Sequence, residues 1–540
     1  MESLFQLCYG IEMIIRSLDY YLEPFQVAAH VAERPDFAFL DSSDHQHGHG
    51  RCSIIALEPF LKFSYNQGQS QLSFLRHTDH DRDDSSSQIT DELFPFDLIN
   101  QFTGRAGDPF GTLRKLLAIF QIPEHPAFPI PLGASIGYIS YDLGASLEAE
   151  VPLLDGFQEW PQMEWRFYDT LLIFDHRQRI ITLVSTGFPF QGAQQDQWAQ
   201  LRFSRFLALL EKISAEERDF EENGRDTGNS FSLWQDPADL LVSPQRRDVL
   251  RSNFTAVSYQ ESVKVIKEYI ARGDVYQVNL SQQFSCESEE AGFDIYRKIR
   301  RVNRVPYGGY LRFGHREILC FSMECFLRME GRKVQTRPIK GTLPRGKTRR
   351  EDLAQARKLW QSEKDRAELL MVVDMERNDL GKVCDYHTVR VDRLFEVEKY
   401  ATVFHLVSTV SGRLRPEFDH LDCLLACFPG GSITGTPKIR AMQVIAELEK
   451  IRRGVYCGAL GYFGFNRISD FNIPIRTILK QGPRLWFNAG GGVVADSDPY
   501  LEYLETLHKV RAFLACLLQA TSPVPGEIFS STLRGEKGSY

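Results

Sequence analysis

The sequence lacks an excess of positive charge, a long apolar run and a dense set of cysteines. Its formal net charge is −8, from 63 Lys and Arg against 71 Asp and Glu, and the basic residues are scattered, which argues against a nucleic-acid partner. No window approaches the ~20 uninterrupted apolar residues that span a bilayer. Ten cysteines in 540 residues are few, and most sit in apolar runs, which predicts reduced core thiols and no disulfide framework.

The amino terminus also lacks the features of a secretion signal. Glu2 and Glu12 fall within its opening stretch, and no cationic segment precedes a sustained apolar run. These absences together predict a cytoplasmic protein with no membrane partner. What the chain does have is length, since 540 residues are enough for two or more domains or for one large intertwined body. A large enzyme is the natural expectation.

Two polar, turn-rich segments divide the chain. Residues 77–92 predict a surface loop, and residues 214–244 predict a linker. An N-terminal region would then span 1–213 and a C-terminal region 245–520. Residues 521–540 are rich in Ser, Gly and Pro, and we expect a disordered tail there.

Apolar runs of strand length dominate the N-terminal region, whereas the C-terminal region mixes strands with helices. Helices are predicted over 352–380, 437–451 and 499–518. The second helix would have Thr436 as N-cap and Pro437 at its first position, and Asp498 and Pro499 would serve the third helix in the same way. No repeat of solenoid period is present. The pattern therefore predicts an α+β body of sheets backed by helices.

A glycine-rich stretch, "CFPGGSITGTPKIRAM" (427–442), precedes one of these helices. Unpaired backbone N–H groups and the positive end of the helix dipole favour an anion at such a position. The stretch matches neither a Walker A loop nor a dinucleotide fingerprint. It is either a plain glycine-rich connection or a site for a carboxylate or another non-nucleotide anion.

Carboxylates on two predicted helices suggest a cation. Glu502 and Glu505 share a helix face behind the glycines 490–492, and Glu368 lies on the helix predicted at 352–380. Two such helices facing one cavity would suit Mg²⁺, which takes one or two protein carboxylates plus substrate and water oxygens. Glu505 could equally pair with Lys509 on an exposed surface.

Three further polar features are candidates for a functional site, two within apolar runs and one within a polar loop. Arg476 lies in a strand-like apolar run, where an unpaired guanidinium would seek a substrate carboxylate. His405 lies in another such run, where a lone histidine is more often a hydrogen-bonded core residue than a catalyst. The histidine-rich run at 45–50 has no companion ligands, so we do not interpret it as a metal site.

Lys340 lies in the middle of a Gly- and Pro-punctuated segment, "TRPIKGTLPRG" (336–346). It could be a solvated loop charge or a buried amine. A buried lysine can be a nucleophile, but it must be neutral to attack, which requires a pKa below about 10.4. Nearby Arg337 and Arg345 could supply a repelling charge.

Taken in order, the motifs of 255–515 resemble those of the chorismate-utilising enzymes. The matching stretches are "GDVYQVNLSQQF", "PIKGTLPRG", "EKDRAELLMVVDMERNDLGKV", "HLVSTVSG", "FPGGSITGTPKIRAM", "RGVYCGALGYFG" and "AGGGVVADSDPYLEYLET". Two earlier stretches, at 37–60 and 137–148, are similar to the N-terminal region of anthranilate synthase and aminodeoxychorismate synthase large components. The resemblance implies an anthranilate synthase component I-like fold, in which two packed β-sheets are flanked by helices with the site in a cleft between them. It also implies chorismate, a dicarboxylate, as the substrate and Mg²⁺ as the cofactor.

The resemblance also implies roles by position. Those for metal binding fall on Glu368 and Glu505, with Glu502 and Asp365 as neighbours. Those for holding the substrate fall on Thr342, Gly435, Thr436, Tyr456, Arg476, Gly490, Gly491, Gly492 and Lys509. Those beside the reacting ring fall on Lys340, Glu324 and His405.

Lys340 discriminates within the family. Anthranilate synthases read "PIAGT" at this point, whereas aminodeoxychorismate synthases read "PIKGT", as this chain does. The resemblance implies that Lys340 forms a covalent adduct with chorismate, that Glu324 is the general acid, and that the product is 4-amino-4-deoxychorismate, for 4-aminobenzoate and folate synthesis. Met323 departs from the usual "SPE" pattern, which alters a backbone constraint but keeps the carboxylate of Glu324.

The partners follow from the same resemblance. The chain shows no glutaminase Cys…His-x-Glu constellation, so we expect ammonia from a separate glutamine amidotransferase subunit. The N-terminal region resembles one that forms a tryptophan pocket, but the glycines of "RVPYGGYLRF" (305–313) replace bulkier residues of the feedback pattern, which argues against inhibition by tryptophan. Two alternatives stay open: anthranilate synthase component I, and a chorismate-binding paralogue without catalytic activity.

Overall fold

The structure is a computed structural model of the chain. It describes residues 4–6, 12–44, 50–75, 108–125, 128–148, 150–152, 154, 160–223, 250–400 and 403–519. The loop predicted at 77–92 and the tail predicted at 521–540 lie outside the described residues, as do residues 45–49 of the histidine-rich run and residues 224–244 of the predicted linker.

The strands, in chain order, are β1 (Leu4–Gln6), β2 (Glu12–Ser17), β3 (Phe37–Asp41), β4 (Cys52–Ala56), β5 (Leu61–Asn66), β6 (Gln69–Phe74), β7 (Ala134–Ile139), β8 (Met163–Tyr168), β9 (Thr170–Asp175), β10 (Ile180–Ser185), β11 (Arg251–Ser252), β12 (Gln277–Glu287), β13 (Tyr307–Phe313), β14 (Arg316–Ser322), β15 (Cys325–Glu330), β16 (Lys333–Arg337), β17 (Ile339–Pro344), β18 (Arg390–Lys399), β19 (Val403–Arg413), β20 (Gly435–Thr436), β21 (Ala459–Gly464), β22 (Ile468–Asn472), β23 (Thr477–Gln481) and β24 (Arg484–Val493).

The α-helices, in chain order, are α1 (Pro24–Val31), α2 (Pro109–Ile119), α3 (Tyr141–Ala145), α4 (Ala193–Asn223), α5 (Ala256–Ala271), α6 (Gly292–Val302), α7 (Arg349–Gln361), α8 (Glu363–Gly381), α9 (His420–Cys427), α10 (Lys438–Glu449) and α11 (Pro499–Gln519). A short 3₁₀ helix spans Gly431–Ile433. None of the helices described is both long and apolar enough to cross a membrane.

The strands form two large antiparallel sheets. Within the described residues the first sheet has the order β1-β2-β10-β9-β4-β3-β13-β14-β23-β24-β12-β11, with β20 also paired to β12. The second has the order β17-β19-β16-β15-β22-β21-β7-β8-β5-β6, with β18 also paired to β19. Both sheets contain strands from both sides of the predicted linker, joined where β3 pairs with β13 and where β7 pairs with β21. The two sequence regions therefore build one intertwined body.

The main core lies between the sheets. Ile54 and Leu311 of the first sheet belong to the same buried cluster as Trp165 and Leu327 of the second. A second cluster covers the opposite face of the first sheet with apolar side chains of α1, α4, α6 and α11. This arrangement confirms the predicted α+β body of packed sheets with helices outside. The nine described cysteines are all free, as predicted.

The structure corrects three sequence predictions. The helix predicted at 352–380 is two helices, because Ser362 is extended (ψ 107°) and its side chain caps α8 by accepting a bond from the Asp365 N–H. Thr436 is not an N-cap: it lies in β20 paired with Gln277, and α10 begins after Pro437. Helix α4 runs through residue 214, where the linker was predicted to begin. The cap at Asp498 is confirmed, because its Oδ1 accepts bonds from the next two free N–H groups of α11.

Candidate active site

Lys340 lies on β17, at the edge of the second sheet, next to a β-bulge. Lys340 pairs with Leu406 and Thr342 with His405, so Gly341 is the extra residue. Gly341 has φ +75°, and a Cβ there would lie 2.8 Å from the Asp365 Cγ. Glycine adopts this φ without strain, and its lack of a side chain leaves room for α8. The bulge therefore depends on Gly341, and it fixes the direction in which the Lys340 side chain points.

The Lys340 amine is enclosed and oriented. Its Nζ donates a hydrogen bond to the Ser432 carbonyl oxygen at 3.2 Å. Burial lowers the pKa of Lys340 below its ordinary value, and the nearby carboxylates of Glu368 and Glu324 oppose this shift. The lysine is therefore easier to deprotonate than a surface lysine, as a nucleophilic amine must be.

Glu324 lies between β14 and β15 and is 5% exposed. Its backbone is held on both sides: its N–H donates to the Ser322 Oγ at 3.1 Å, and its carbonyl oxygen accepts from the Ile473 N–H at 3.3 Å. These bonds fix the turn although Met323 replaces the proline of the family pattern. Burial raises the pKa of Glu324, while Lys340 and Lys509 lower it. A carboxyl group so placed can hold a proton for a leaving group.

The side chains of Lys340 and Glu324 both line one cavity of about 560 Å³, which we call the central cavity. The predicted site residues that line it are Glu324, Lys340, Thr342, Asp365, Glu368, Tyr456, Arg476, Gly490, Gly491, Gly492, Glu502, Glu505 and Lys509. Helices α8 and α11 therefore face the same space, which sequence alone could not establish.

Four carboxylates line the cavity from these helices, Asp365 and Glu368 on α8 and Glu502 and Glu505 on α11. On α11 Glu505 pairs with Lys509 at 2.6 Å, and both side chains line the cavity, so the pair does not lie on an outer surface and a metal role for Glu505 stays a prediction. Burial opposes ionisation of Glu505, but Lys509 holds its pKa below the usual value. Burial raises the pKa of Glu368 and of Glu502, and Glu505 adds to both shifts by repulsion. A Cβ on Gly491 would lie 3.2 Å from the Glu502 Oε2 and 3.3 Å from the Glu505 Oε1, so these two acids converge over the glycine strand.

Arg476 presents an uncompensated guanidinium to the cavity. Among the described residues no carboxylate forms an ion pair with it, and burial lowers its pKa to about 10. Its backbone is left-handed, with φ +48°. An unpaired buried guanidinium is costly in the free protein and suits a carboxylate ligand. Tyr456 lines the same wall, with the Arg453 guanidinium 6.0 Å from its ring centre.

His405 lies behind the cavity wall. It is 1% exposed, and its Nδ1 is 2.9 Å from the Thr342 Oγ1, which does line the cavity. Burial, and then the charge of Arg476, lower the pKa of His405 to about 3. The imidazole is therefore neutral at physiological pH and positions Thr342, without facing the space where a ring would lie.

Gly435 and Thr436 also lie away from the central cavity. Gly435 has φ +143° and pairs with Val278, and a Cβ there would lie 2.1 Å from the Gln277 carbonyl oxygen. The absence of a side chain at Gly435 allows strands β12 and β20 to approach each other closely. Ser432 and Ile433 of the same stretch line the cavity instead. The structure thus does not place Gly435 and Thr436 in the lining of the central cavity, where they were predicted to contact a substrate.

Sequence reasoning missed the residue that holds this glycine-rich stretch in place. Arg453 is 1% exposed, pairs with Glu449 at 2.7 Å, and donates to the carbonyl oxygens of Ile433 and Asn279 at 3.0 and 2.7 Å. The i,i+4 spacing of Glu449 and Arg453 was a signal, but such pairs are mostly exposed. Nothing in the sequence distinguished this buried one.

The geometry can now be compared with known proteins. A family model described as "chorismate binding enzyme" matches residues 40–515. The chain belongs to this family. It is 35% identical over 470 residues to aminodeoxychorismate synthase component 1 of Bacillus subtilis, covering 87% of this chain and 89% of that protein. It is 39% identical over 417 residues to anthranilate synthase component 1 of Streptomyces coelicolor, covering 77% and 78%.

A solved structure of the same kind confirms the fold. Anthranilate synthase component I from Streptococcus pneumoniae superposes with a TM-score of 0.64 at 28% identity, covering 86% of this chain and 92% of that chain. The predicted anthranilate synthase component I-like fold is therefore confirmed. The relatives' names call each of them component 1, which implies a second component for those enzymes.

The donor set of this chorismate binding enzyme fits Mg²⁺. No group of three or more His, Cys, Asp or Glu side chains in the described part of the chain forms a full metal cage. Magnesium needs none, since it commonly takes one or two carboxylates and completes its shell with substrate oxygens and water. Glu368 and Glu505 both line the central cavity and repel each other, while Lys340 and Lys364 offset this repulsion at Glu368.

A smaller cavity of about 240 Å³ lies between the sheets at the N-terminal side. Pro306, Tyr307 and Gly308 line it together with Asp470 and Asn472. The Oδ1 atoms of Asp470 and Asn472 are buried without a hydrogen-bond partner. This is where the tryptophan pocket was expected, and occupancy by tryptophan stays a prediction.

Proposed function

We propose that this chorismate binding enzyme is the large component of an aminodeoxychorismate synthase. The observation that carries the proposal is Lys340: it lines the central cavity, its Nζ is held 3.2 Å from the Ser432 carbonyl oxygen, and burial lowers its pKa beside Glu324. An anthranilate synthase needs no amine at this point, because ammonia attacks the ring directly.

The reaction would proceed in two displacements. The neutral Lys340 amine attacks the ring carbon next to the carboxylate-bearing carbon, both conjugated ring double bonds shift by one position, and the C–O bond to the distal hydroxyl breaks. Glu324 gives its proton to that oxygen, so water leaves and a lysine adduct remains. Ammonia then forms a bond to the carbon that lost the hydroxyl, both double bonds shift back, and the C–N bond to Lys340 breaks so that the lysine leaves as a neutral amine. The enolpyruvyl group is retained.

The remaining cavity residues would bind and orient chorismate. Arg476 and Tyr456 would receive one carboxylate, and the backbone of Gly490–Gly492 would approach the substrate closely. Glu368 and Glu505, with Glu502 beside them, would hold Mg²⁺, which supplies positive charge for a substrate carboxylate. His405 would act through Thr342 as a positioning residue.

The experiment is product analysis with chorismate, Mg²⁺ and ammonium. We expect 4-amino-4-deoxychorismate from the wild type and, without ammonium, a Lys340 adduct seen by mass spectrometry as chorismate minus water. Lys340→Ala should abolish both, while Lys347→Ala, on the exposed loop after β17, should change neither.

Two outcomes would overturn the proposal. Direct appearance of anthranilate fluorescence would identify an anthranilate synthase, in keeping with the relatives of that name. Absence of any product, with chorismate still bound, would identify a paralogue without catalytic activity. The ammonia source, a glutamine amidotransferase subunit, and a role in 4-aminobenzoate and folate synthesis follow from the proposal and fall with it.

A further inference from the structure

The short helix α3 of the N-terminal region lies against a turn that carries residues of the central cavity. We call residues 453–457 the cavity turn, because Arg453, Tyr456 and Cys457 line the cavity. All five residues of α3 are buried, and these five do not line the cavity themselves. Helix α3 therefore lies one contact away from the place where a substrate would bind.

Three hydrogen bonds join α3 to the backbone of the cavity turn. The Asp142 Oδ2 accepts a bond from the Gly454 N–H at 2.7 Å, and its Oδ1 accepts one from the Arg453 N–H at 3.3 Å. In the opposite direction, the Tyr141 N–H donates to the Gly454 carbonyl oxygen at 2.9 Å. Gly454 is in the left-handed region, with φ +62°. Helix α3 thus holds this glycine by both its N–H and its carbonyl group.

The side chain of Asp142 satisfies both N–H groups only as a carboxylate. An ionised carboxylate only accepts hydrogen bonds, whereas a protonated acid or an amide would turn a donor toward one of the two N–H groups. Burial raises the pKa of Asp142 to about 6, and the two N–H groups and the charges of Arg452 and Arg453 oppose the rise. From α10, Met442 and Ile445 add apolar surface beside it.

Arg453 extends the contact to the glycine-rich stretch. Its guanidinium lies 4.7 Å from the ring centre of Tyr141 and pairs with Glu449 at the end of α10. The same guanidinium donates to the Ile433 carbonyl oxygen at 3.0 Å. Burial raises the pKa of Tyr141, so this neighbour of Asp142 stays neutral. The bonds of Asp142 to the cavity turn therefore also support the stretch that carries Ser432 and Ile433.

We propose that Asp142 is a positioning residue for chorismate: as a carboxylate it holds the cavity turn so that Tyr456 is in place when the substrate binds. A turn that is ordered before binding loses less conformational freedom on binding, which raises affinity. Lys340 and Glu324 lie on other strands, so the chemical step should depend little on Asp142. The inference rests on the proposed function in one respect, because it takes chorismate as the ligand.

The test measures the Kd of chorismate by titration calorimetry in full-length protein carrying Lys340→Ala, so that no adduct forms. Adding Asp142→Asn should weaken binding about tenfold near pH 7.5, because one N–H of the turn then faces a donor. The ratio of the two Kd values should approach one near pH 5, since Asp142 is then mostly protonated in the parent as well. With Lys340 intact, Asp142→Asn should raise KM for chorismate and leave the rate of adduct formation at saturation nearly unchanged.

Asp169→Asn is the matched control. Asp169 is also buried and its pKa is also raised by burial, but it pairs with Arg202 and does not line the central cavity. Its substitution tests the effect of losing a buried carboxylate elsewhere in the N-terminal region. The Kd of chorismate should stay at the parent value at both pH values.

A second measurement does not require the Asp142 variant to fold. In the wild type without ligand, hydrogen exchange of the amides of 453–457, corrected for the intrinsic effect of pH, should quicken about tenfold between pH 7.5 and pH 5. Unchanged exchange would overturn the proposal. So would a Kd ratio of one near pH 7.5, or a ratio that stays near ten at pH 5. If the Lys340→Ala parent binds no chorismate at all, the proposed function fails, and the exchange measurement still decides whether Asp142 holds the turn.

Discussion

The two reacting side chains are prepared by the same physical cause acting in opposite directions. Burial disfavours the charged form of any group, so it lowers the pKa of Lys340 and raises that of Glu324. A neutral amine and a protonated carboxyl are the forms that nucleophilic attack and protonation of the leaving oxygen require. Their mutual attraction opposes both shifts. Desolvation by the walls of the central cavity therefore shifts both groups toward their neutral forms, against their mutual attraction.

The burial of the Glu376 side chain, on α8, can be measured, because it makes the stability of the folded protein depend on pH. Its pKa rises from 4.5 to about 8 in the folded protein. Between these values the unfolded chain releases this proton while the folded protein keeps it, so this group makes the folded state less stable as pH rises. Glu376→Gln removes the group. We therefore expect Tm of the variant, relative to wild type, to increase from about pH 4.5 to about pH 8 and to level off above.

The control is Asp374→Asn, on the same helix but exposed and paired with Arg377 at 3.0 Å. Its Tm difference from wild type should stay nearly constant over the same pH range in scanning fluorimetry. A difference for Glu376→Gln that also stays constant would mean that Glu376 is charged in the folded protein.

At the scale of elements, the bulge at Gly341 determines the position of Lys340. Gly341→Ala places a Cβ 2.8 Å from the Asp365 Cγ at φ +75°, so we expect stability to fall by about 1–2 kcal/mol for the left-handed backbone alone. We also expect a large loss of kcat, because strand β17 must shift away from α8. Urea unfolding and initial rates measure the two effects.

Gly314→Ala separates the effect on stability from the effect on kcat. Gly314 has φ +64° in the turn between β13 and β14, and a Cβ there would meet no atom within 4 Å. It should lose similar stability and keep wild-type kcat. Equal loss of kcat in both variants would show that lower stability, and not the displaced lysine, explains the lost activity.

The elements also show what the sequence could and could not predict. The cap at Asp498 is local chemistry, so the pattern located α11 correctly. The stop at Ser362 was missed, because an apolar stripe continues through 352–380 and a serine inside it has no effect on the period. Thr436 was taken for a cap because Pro437 follows it, yet the partner that takes Thr436 into a strand is Gln277, 159 positions earlier in the numbering. Contacts over such distances leave no local pattern.

Across the whole molecule, the order of the motifs predicted which residues form the site, whereas the pairing of strands in the two sheets places those residues around one cavity. The central cavity draws on β12, β17, β24, α8 and α11, all C-terminal to the predicted linker. The boundary predicted near residue 214 was compositional, and composition cannot show that strands from both sides of it belong to the same sheets. The N-terminal residues contribute to the site indirectly, by completing the sheets that support it.

This dependence leads to a prediction about separated pieces. Residues 245–520 alone would expose the edge of β13 that β3 covers and the edge of β21 that β7 covers, together with half of the core between the sheets. Uncovered strand edges and apolar faces drive association. We expect this segment to aggregate when expressed alone, although it holds all the residues that line the central cavity. Co-expression with residues 1–244 should restore a soluble complex with chorismate-dependent activity, measured after co-purification through a tag on one piece. A monodisperse, fully active 245–520 segment would instead show that the second half folds as an independent domain.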